Sequence, residues 1–106
     1  MGVDQKMINE IIQRILAVAK PKRIILFGSA AMDRMTRDSD IDIMVVIAVP
    51  GNNRKESIRI RAGLRGLGCA FDIIVMSLER FEESKSVIGG IAYPANKYGK
   101  VIYEAA

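Results

Sequence analysis

The sequence predicts a small α/β (α+β) domain in which helices pack on a mixed β-sheet of about four strands. Short runs of aliphatic and β-branched residues alternate along the chain with segments whose apolar residues follow a helical period. The 106 residues suit one hydrophobic core, and a content of 50% hydrophobic and 26% charged residues is typical of a globular chain. We therefore expect a single domain over residues 1–106.

A helix and a strand are predicted first. Apolar residues in the segment 7–19 recur at i, i+3 and i+4, Asp4 is a candidate N-cap, and Pro21 ends the helical pattern. Residues 23–27 (RIILF) form a short apolar run that ends at Gly28. This run predicts a buried strand.

The middle of the chain predicts a central strand and a second helix. The polar residues 31–39 are expected to form a short helical turn and a loop. The run 41–49 becomes wholly apolar after its first residues and predicts a central strand. A helix over residues 54–67 follows, with a capping arrangement between Asn53 and Glu56.

The last part of the chain predicts a third strand, a broken helical region and a final short strand. Residues 69–76 are apolar apart from one aspartate and predict the third strand. Helix begins near Ser77 and is expected to break near residues 89–90 and at Pro94. Residues 100–103 predict the last strand, which gives the mixed sheet its fourth member.

The composition excludes several classes of site. Histidine is absent and Cys69 is the single cysteine, which excludes Ser-His-Asp and Cys-His catalysis, the usual zinc sites and a disulfide within the chain. Cys69 is expected to be a small buried hydrophobe. The lack of a signal-peptide core or a membrane-length apolar run predicts a cytoplasmic protein without membrane contact. The net charge of +4 suits a phosphate-bearing ligand, but the 6% of aromatic residues and the lack of a Lys/Arg tract argue against direct nucleic-acid binding.

Three aspartates are candidates for metal binding. Asp40 and Asp42 are two residues apart at the start of a predicted strand, so their side chains share one face. Asp72 lies inside the third predicted strand, where strand propensity does not favour aspartate. If the two strands are neighbours, three carboxylates meet on one surface, and such an oxygen-rich site suits Mg²⁺. Two alternatives stay open: an arginine such as Arg37 pairs with the first two acids, and Asp72 faces water on an edge strand.

The dipeptide Gly28-Ser29 is a weaker candidate for phosphate binding. It follows the first predicted strand and precedes a helical start. Glycine allows the backbone to approach a ligand closely, and free N–H groups at a helix N-terminus bind phosphate. An ordinary turn with Ser29 as an N-cap explains the same two residues.

Taken together, these segments resemble the signature of the polymerase-β-type nucleotidyltransferase superfamily. That signature is Gly-Ser, a spacer of about ten residues, Asp-x-Asp, and a third acid on a later strand. It is matched here by residues 26–31 (LFGSAA), residues 39–45 (SDIDIMV) and Asp72. The short chain is similar to the minimal nucleotidyltransferases (MNT proteins), which are often paired with HEPN-domain proteins as antitoxin and toxin. Many relatives carry a basic residue and a glycine where this chain has Met32 and Asp33.

The resemblance implies a polymerase-β-like fold and Mg²⁺-assisted transfer of a nucleotide, with AMP from ATP as the expected group, to a hydroxyl of a HEPN-domain partner. Two Mg²⁺ ions are expected. The implied metal-binding and catalytic residues are Asp40, Asp42 and Asp72, and the implied nucleotide-binding residues are Gly28, Ser29, Arg37 and Ser39.

Two other functions and one further surface stay open. The chain can be an antitoxin that acts by binding alone, or an aminoglycoside-type nucleotidyltransferase that modifies a small molecule. A homo-oligomer is also left open. Arg54, Arg61 and Arg65 follow one stripe of the second predicted helix, with Ile58 among them. This stripe is either a solvated face or a surface for a protein or nucleic-acid partner.

Overall fold

The computed structural model describes residues 5–28, 40–48, 51–90 and 92–105. These residues form four helices and four strands: α1 (Gln5–Val18), β1 (Pro21–Phe27), β2 (Ile41–Ile47), α2 (Asn53–Gly63), β3 (Phe71–Ser77), α3 (Leu78–Ser84), α4 (Ala92–Tyr98) and β4 (Lys100–Glu104). The predicted N-cap Asp4 and the helical turn predicted in residues 31–39 lie outside the described residues.

The four strands form one mixed sheet in the order β3-β2-β1-β4. β1 pairs antiparallel with both β2 and β4, whereas β2 and β3 are parallel. A parallel pair needs a crossover connection, and α2 supplies it. The predicted fold class, a small mixed sheet with helices packed on it, is confirmed.

Different helices cover the two faces of the sheet. Along β2, Ile43 and Val45 pack in a core with α1 and α2, whereas Met44 and Val46 pack in a second core with α3 and α4. We call these sides the α1/α2 face and the α3/α4 face. Because successive strand residues point to opposite faces, Asp42 lies on the same side as Met44, which is the α3/α4 face.

Several predicted boundaries are wrong by a few residues. β1 begins at Pro21 because the first position of a strand tolerates proline. The N-cap of α2 is Asn52, whose side chain accepts a hydrogen bond from the backbone N–H of Lys55 at 3.1 Å, and the helix ends at Gly63. Arg65 therefore lies in the turn after α2, whereas Arg54 and Arg61 are on the helix.

Two further predictions about the second half of the chain are wrong. Cys69 is exposed, because β3 begins only at Phe71 and the cysteine lies in the bend before it. Pro94 does not break the last helix, since it lies in the first turn of α4, where the missing N–H is tolerated.

Candidate active site

Asp42 and Asp72 are direct neighbours on adjacent strands. The parallel register pairs Asp42 of β2 with Asp72 of β3, and the antiparallel register pairs Phe27 of β1 with Asp42. Paired residues on neighbouring strands, about 4.8 Å apart, point to the same face. Both aspartates therefore lie at one end of the α3/α4 face, where β1 ends and where β2 and β3 begin.

The three predicted acids differ in their exposure. Asp42 is half-buried, whereas Asp72 is exposed and so is Asp40, which immediately precedes β2. The pKa of the Asp42 carboxyl is raised above its ordinary value of 3.8, first because burial removes water from its charged form, and then because Asp72 and Asp40 carry like charges. Asp40 is therefore close enough to Asp42 for the two carboxylates to repel each other.

No basic side chain among the described residues forms an ion pair with any of these three aspartates. Arg37, the arginine that sequence analysis considered as a partner, lies outside the described residues. Within the described parts of the chain, this end of the sheet carries negative charge that no protein cation offsets. A bound cation would remove the like-charge repulsion at Asp42.

Gly28 lies in the turn directly after β1 and faces Asp42. Its φ of +65° lies in the left-handed region that favours glycine. A Cβ built on Gly28 would meet the Asp42 Oδ2 and would lie 3.2 Å from the Asp42 Cγ. The exposed Gly28 therefore lies against the Asp42 carboxylate, in the place where any other residue would carry its Cβ.

The remaining predicted nucleotide-binding residues are not placed. Ser29, Arg37 and Ser39 lie outside the described residues, as do Met32 and Asp33. The structure brings together Asp40, Asp42, Asp72 and Gly28, and the rest of the predicted nucleotide-binding site stays a prediction.

The donor set fits Mg²⁺. Among the described residues, no three Asp, Glu, Cys or His side chains converge closely enough to hold a metal ion by themselves. Mg²⁺ commonly takes only one or two carboxylates and completes its shell with water and substrate phosphates. The neighbouring Asp42 and Asp72 supply carboxylate oxygens of that kind. The pKa of Asp42 is raised first by burial and then by the like charges of Asp72 and Asp40, and a cation would offset the latter.

Two hollows in the described surface lie away from the aspartates. One of about 420 Å³ is lined by residues at the end of α1 together with Ile47, Glu56 and Arg59. Another of about 450 Å³ lies between the same end of α1 and Tyr103. Ile47 is the last residue of β2, so these hollows are at the opposite end of the strand from Asp42.

A family model described as "Nucleotidyltransferase domain" matches residues 6–93. The chain belongs to the nucleotidyltransferase-domain family. The matched range contains the three aspartates and Gly28. The family assignment thus agrees with the resemblance inferred from the Gly-Ser and Asp-x-Asp motifs.

Solved structures of related fold include toxin–antitoxin complexes. A toxin–antitoxin crystallised with AMP-PNP matches 92% of this chain and 73% of its own, with a TM-score of 0.72 and 23% identity. A Sulfolobus solfataricus protein assigned as a nucleotidyltransferase matches 93% of this chain and 81% of its own, with a TM-score of 0.62 and 18% identity. A complex of a tri-AMPylated Shewanella oneidensis HEPN toxin with its MNT antitoxin matches 92% of this chain and 70% of its own, with a TM-score of 0.51 and 20% identity. At these identities the likeness shows the fold.

No curated protein matches the chain significantly. Among the helices of the described residues, none has the length and apolar character needed to cross a membrane.

Sequence reasoning did not predict which of the three aspartates is the most buried. In the structure this is Asp42, and burial, followed by the like charges of Asp72 and Asp40, raises the pKa of its carboxyl. The structure also places Gly28 against Asp42, although 13 residues separate them between positions 28 and 42. The sequence carries a partial signal for the greater burial of Asp42. The apolar run that follows Asp42 is longer than the run around Asp72, and a longer apolar run indicates a central strand.

Proposed function

We propose that residues 1–106 form one nucleotidyltransferase domain that transfers AMP from ATP to a hydroxyl of a HEPN-domain protein, as the antitoxin of a toxin–antitoxin pair. The observation that carries this proposal is the Asp42–Asp72 pair at the end of the sheet, with Asp40 beside it and Gly28 opposite. Family membership supports the class of reaction. The AMP-PNP of one structural relative and the tri-AMPylated HEPN toxin of another support the choice of nucleotide and acceptor.

In this proposal the three aspartates hold Mg²⁺ and Gly28, Ser29, Arg37 and Ser39 bind the nucleotide. Bound Mg²⁺ supplies charge neutralisation for the triphosphate and lowers the pKa of the acceptor hydroxyl. Asp42, the most buried of the three acids, is held by its place in the central strand β2. Residues of a regular strand keep their positions well, which favours precise orientation of a ligand.

In this proposal Asp72 is the proton acceptor. It lies on β3, the outer strand of the described sheet, and its side chain is exposed. A hydroxyl presented by another protein can therefore reach it. The hydroxyl oxygen forms a bond to the α-phosphorus of ATP, the bond from that phosphorus to the bridging oxygen breaks, and pyrophosphate leaves. The hydroxyl proton passes to an Asp72 Oδ atom.

The test uses ATP labelled at the α-phosphate, Mg²⁺ and lysate of the native host. We expect the wild-type protein to label one acceptor band, whose mass identifies the acceptor. The Asp40→Asn/Asp42→Asn variant is expected to lose the label by a factor of at least about 100, because two of the three proposed metal ligands lose their charge. Glu83→Gln on α3 is the matched control, since it removes an exposed carboxylate of another element. Equal labelling by wild type and the double variant would reject the assignment of the acids.

A second candidate function, neutralisation of the partner by binding alone, is favoured by the exposed side of α2. Arg54, Ile58 and Arg61 lie on one stripe of the helix and are exposed, and Ile58 is 60% exposed. The buried Ile60 and Leu64 of the same segment pack in the core of the α1/α2 face. The stripe therefore lies across the sheet from the aspartates.

The two candidate functions predict opposite sensitivities. If binding alone neutralises the partner, Arg54→Glu/Arg61→Glu abolishes protection of cells that express the partner, and Asp40→Asn/Asp42→Asn retains it. If nucleotide transfer is required, the aspartate variant loses protection. Arg59→Glu/Arg80→Glu gives the same change in net charge at exposed arginines outside the stripe and serves as the control.

A further inference from the structure

The side chain of Asp42 lies in the space beside Gly28. Among the described residues, the three atoms nearest to a Cβ built at residue 28 are the Oδ2, the Cγ and the Cβ of Asp42, the last two at 3.2 and 3.6 Å. The Oδ2 would lie closer to that Cβ than real Cβ contacts allow. The Asp42 carboxylate therefore occupies the volume that any side chain at residue 28 would need.

We propose that Gly28 is a positioning residue for Asp42, because the missing Cβ lets the Asp42 carboxylate lie against the end of β1. This inference rests on the proposed function for the importance of that carboxylate. It goes beyond that function in giving Gly28 a task that is separate from contact with a nucleotide.

The left-handed backbone of Gly28 does not by itself explain this contact. Gly66, Gly68 and Gly89 also have positive φ values, of 89°, 80° and 99°. A Cβ at any of these three positions would meet nothing within 4 Å among the described residues. Of these four glycines, Gly28 alone has an aspartate in the space of the missing side chain. It therefore combines a positive φ with a neighbour that leaves no room for a Cβ.

A side chain at residue 28 is expected to displace the carboxylate more than it disturbs the fold. The closest atom, Oδ2, is at the end of a side chain with two rotatable torsions, so it can swing away while the backbone stays in place. Its new position would no longer be the one beside Gly28 at the end of β1. A Cβ at residue 28 is therefore expected to act mainly on the binding of the metal ion that Asp42 holds in the proposed function.

The test compares Gly28→Ala with Gly66→Ala, which introduces the same methyl group at another position of positive φ (89° against 65°), where a Cβ meets nothing within 4 Å among the described residues. Three quantities are measured on the full chain: the melting temperature, the Asp42 carboxyl ¹³C resonance at pH 7 without metal, and the affinity for Mn²⁺ by electron paramagnetic resonance. Both variants are expected to lower the melting temperature by a few degrees, because alanine is strained at a positive φ. Only Gly28→Ala is expected to shift the Asp42 resonance and to weaken Mn²⁺ binding by about tenfold or more.

The inference is overturned if the Asp42 resonance is the same in Gly28→Ala and in the wild type. A wild-type protein that binds no Mn²⁺ would contradict the metal role in the proposed function, while the metal-free resonance would still decide the role of Gly28. If Gly28→Ala does not fold, Gly28→Asn supplies the same Cβ with a residue that tolerates the left-handed region better. The same comparison of resonances then applies.

Discussion

At the scale of single residues, the charge of Asp42 is needed for the proposed function but is unfavourable for the stability of the fold. Its carboxylate is half-buried and has two like charges nearby, and each of these raises its pKa. An acid whose pKa is higher in the folded than in the unfolded state costs stability once it is ionised. Enzymes often keep such charges where ligand binding requires them. In the proposed function, a bound cation would relieve the like-charge repulsion at Asp42.

Asp42→Asn is expected to raise the melting temperature in metal-free buffer at neutral pH, because it removes a charge that the fold disfavours. The raised pKa implies that ionisation of the Asp42 carboxyl lowers the free energy of unfolding. This loss is fully present above the folded-state pKa and absent below the ordinary value of 3.8. The gain in melting temperature should therefore shrink as the pH falls through this window. Thermal unfolding followed by circular dichroism from pH 7 to pH 3 measures it.

The control for this pH series is Glu83→Gln, which removes an exposed carboxylate on α3. It should leave the melting temperature nearly unchanged, because exposed surface substitutions have small effects. A melting temperature of Asp42→Asn that falls below that of the wild type at pH 7 would contradict the electrostatic account.

At the scale of elements, the junction between α4 and β4 needs a glycine at position 99. The Gly99 N–H donates a hydrogen bond to the Ala95 carbonyl at 3.0 Å. A Cβ at Gly99 would lie 2.6 Å from the Ile25 Cγ2 and 3.0 Å from the Leu26 carbonyl oxygen, besides meeting the Ala95 carbonyl. The close approach of α4 to β1 thus depends on the absence of a side chain at this position.

Gly99→Ala is expected to lower the free energy of unfolding by about 1–3 kcal/mol, because the added methyl group overpacks a junction lined by backbone atoms. Urea unfolding measures this change. Gly51→Ala is the matched control, since a Cβ at Gly51 meets nothing within 4 Å among the described residues and Gly51 has no positive φ. Equal free energies of unfolding for the two variants would contradict this prediction, because the junction would then accommodate the methyl group without a loss of stability.

Local patterns predicted the elements better than their ends. Apolar periodicity located α1 and the four strands, because a buried face imposes that periodicity directly. The exposure of Cys69 and the tolerance of Pro94 depend on where a strand begins and where a helix begins, and apolar runs do not mark those points. The contact between Gly28 and Asp42 was not predicted, because strand pairing brings together residues from separate segments.

At the scale of the whole molecule, the sheet separates two surfaces. The aspartates lie at one end of the α3/α4 face, whereas the exposed stripe of Arg54, Ile58 and Arg61 belongs to a helix on the α1/α2 face. Sequence analysis identified both sets of residues and could not relate them, because the strand order β3-β2-β1-β4 is a property of tertiary pairing. Substitutions in one surface leave the other in place, so the proposed nucleotide transfer and the proposed partner binding can be tested independently.

Because β3 is the outer strand of the described sheet, Asp72 also affects the solubility of the protein. Within the described residues β3 pairs only with β2, so the outer side of its backbone forms an open sheet edge. Open edges with apolar residues can pair with other chains and start aggregation, and charged side chains on the edge oppose this. β3 is otherwise rich in apolar residues, and Asp72 is its only charged residue. Neutralising Asp72 to probe its chemistry would thus also remove a safeguard against edge-to-edge association.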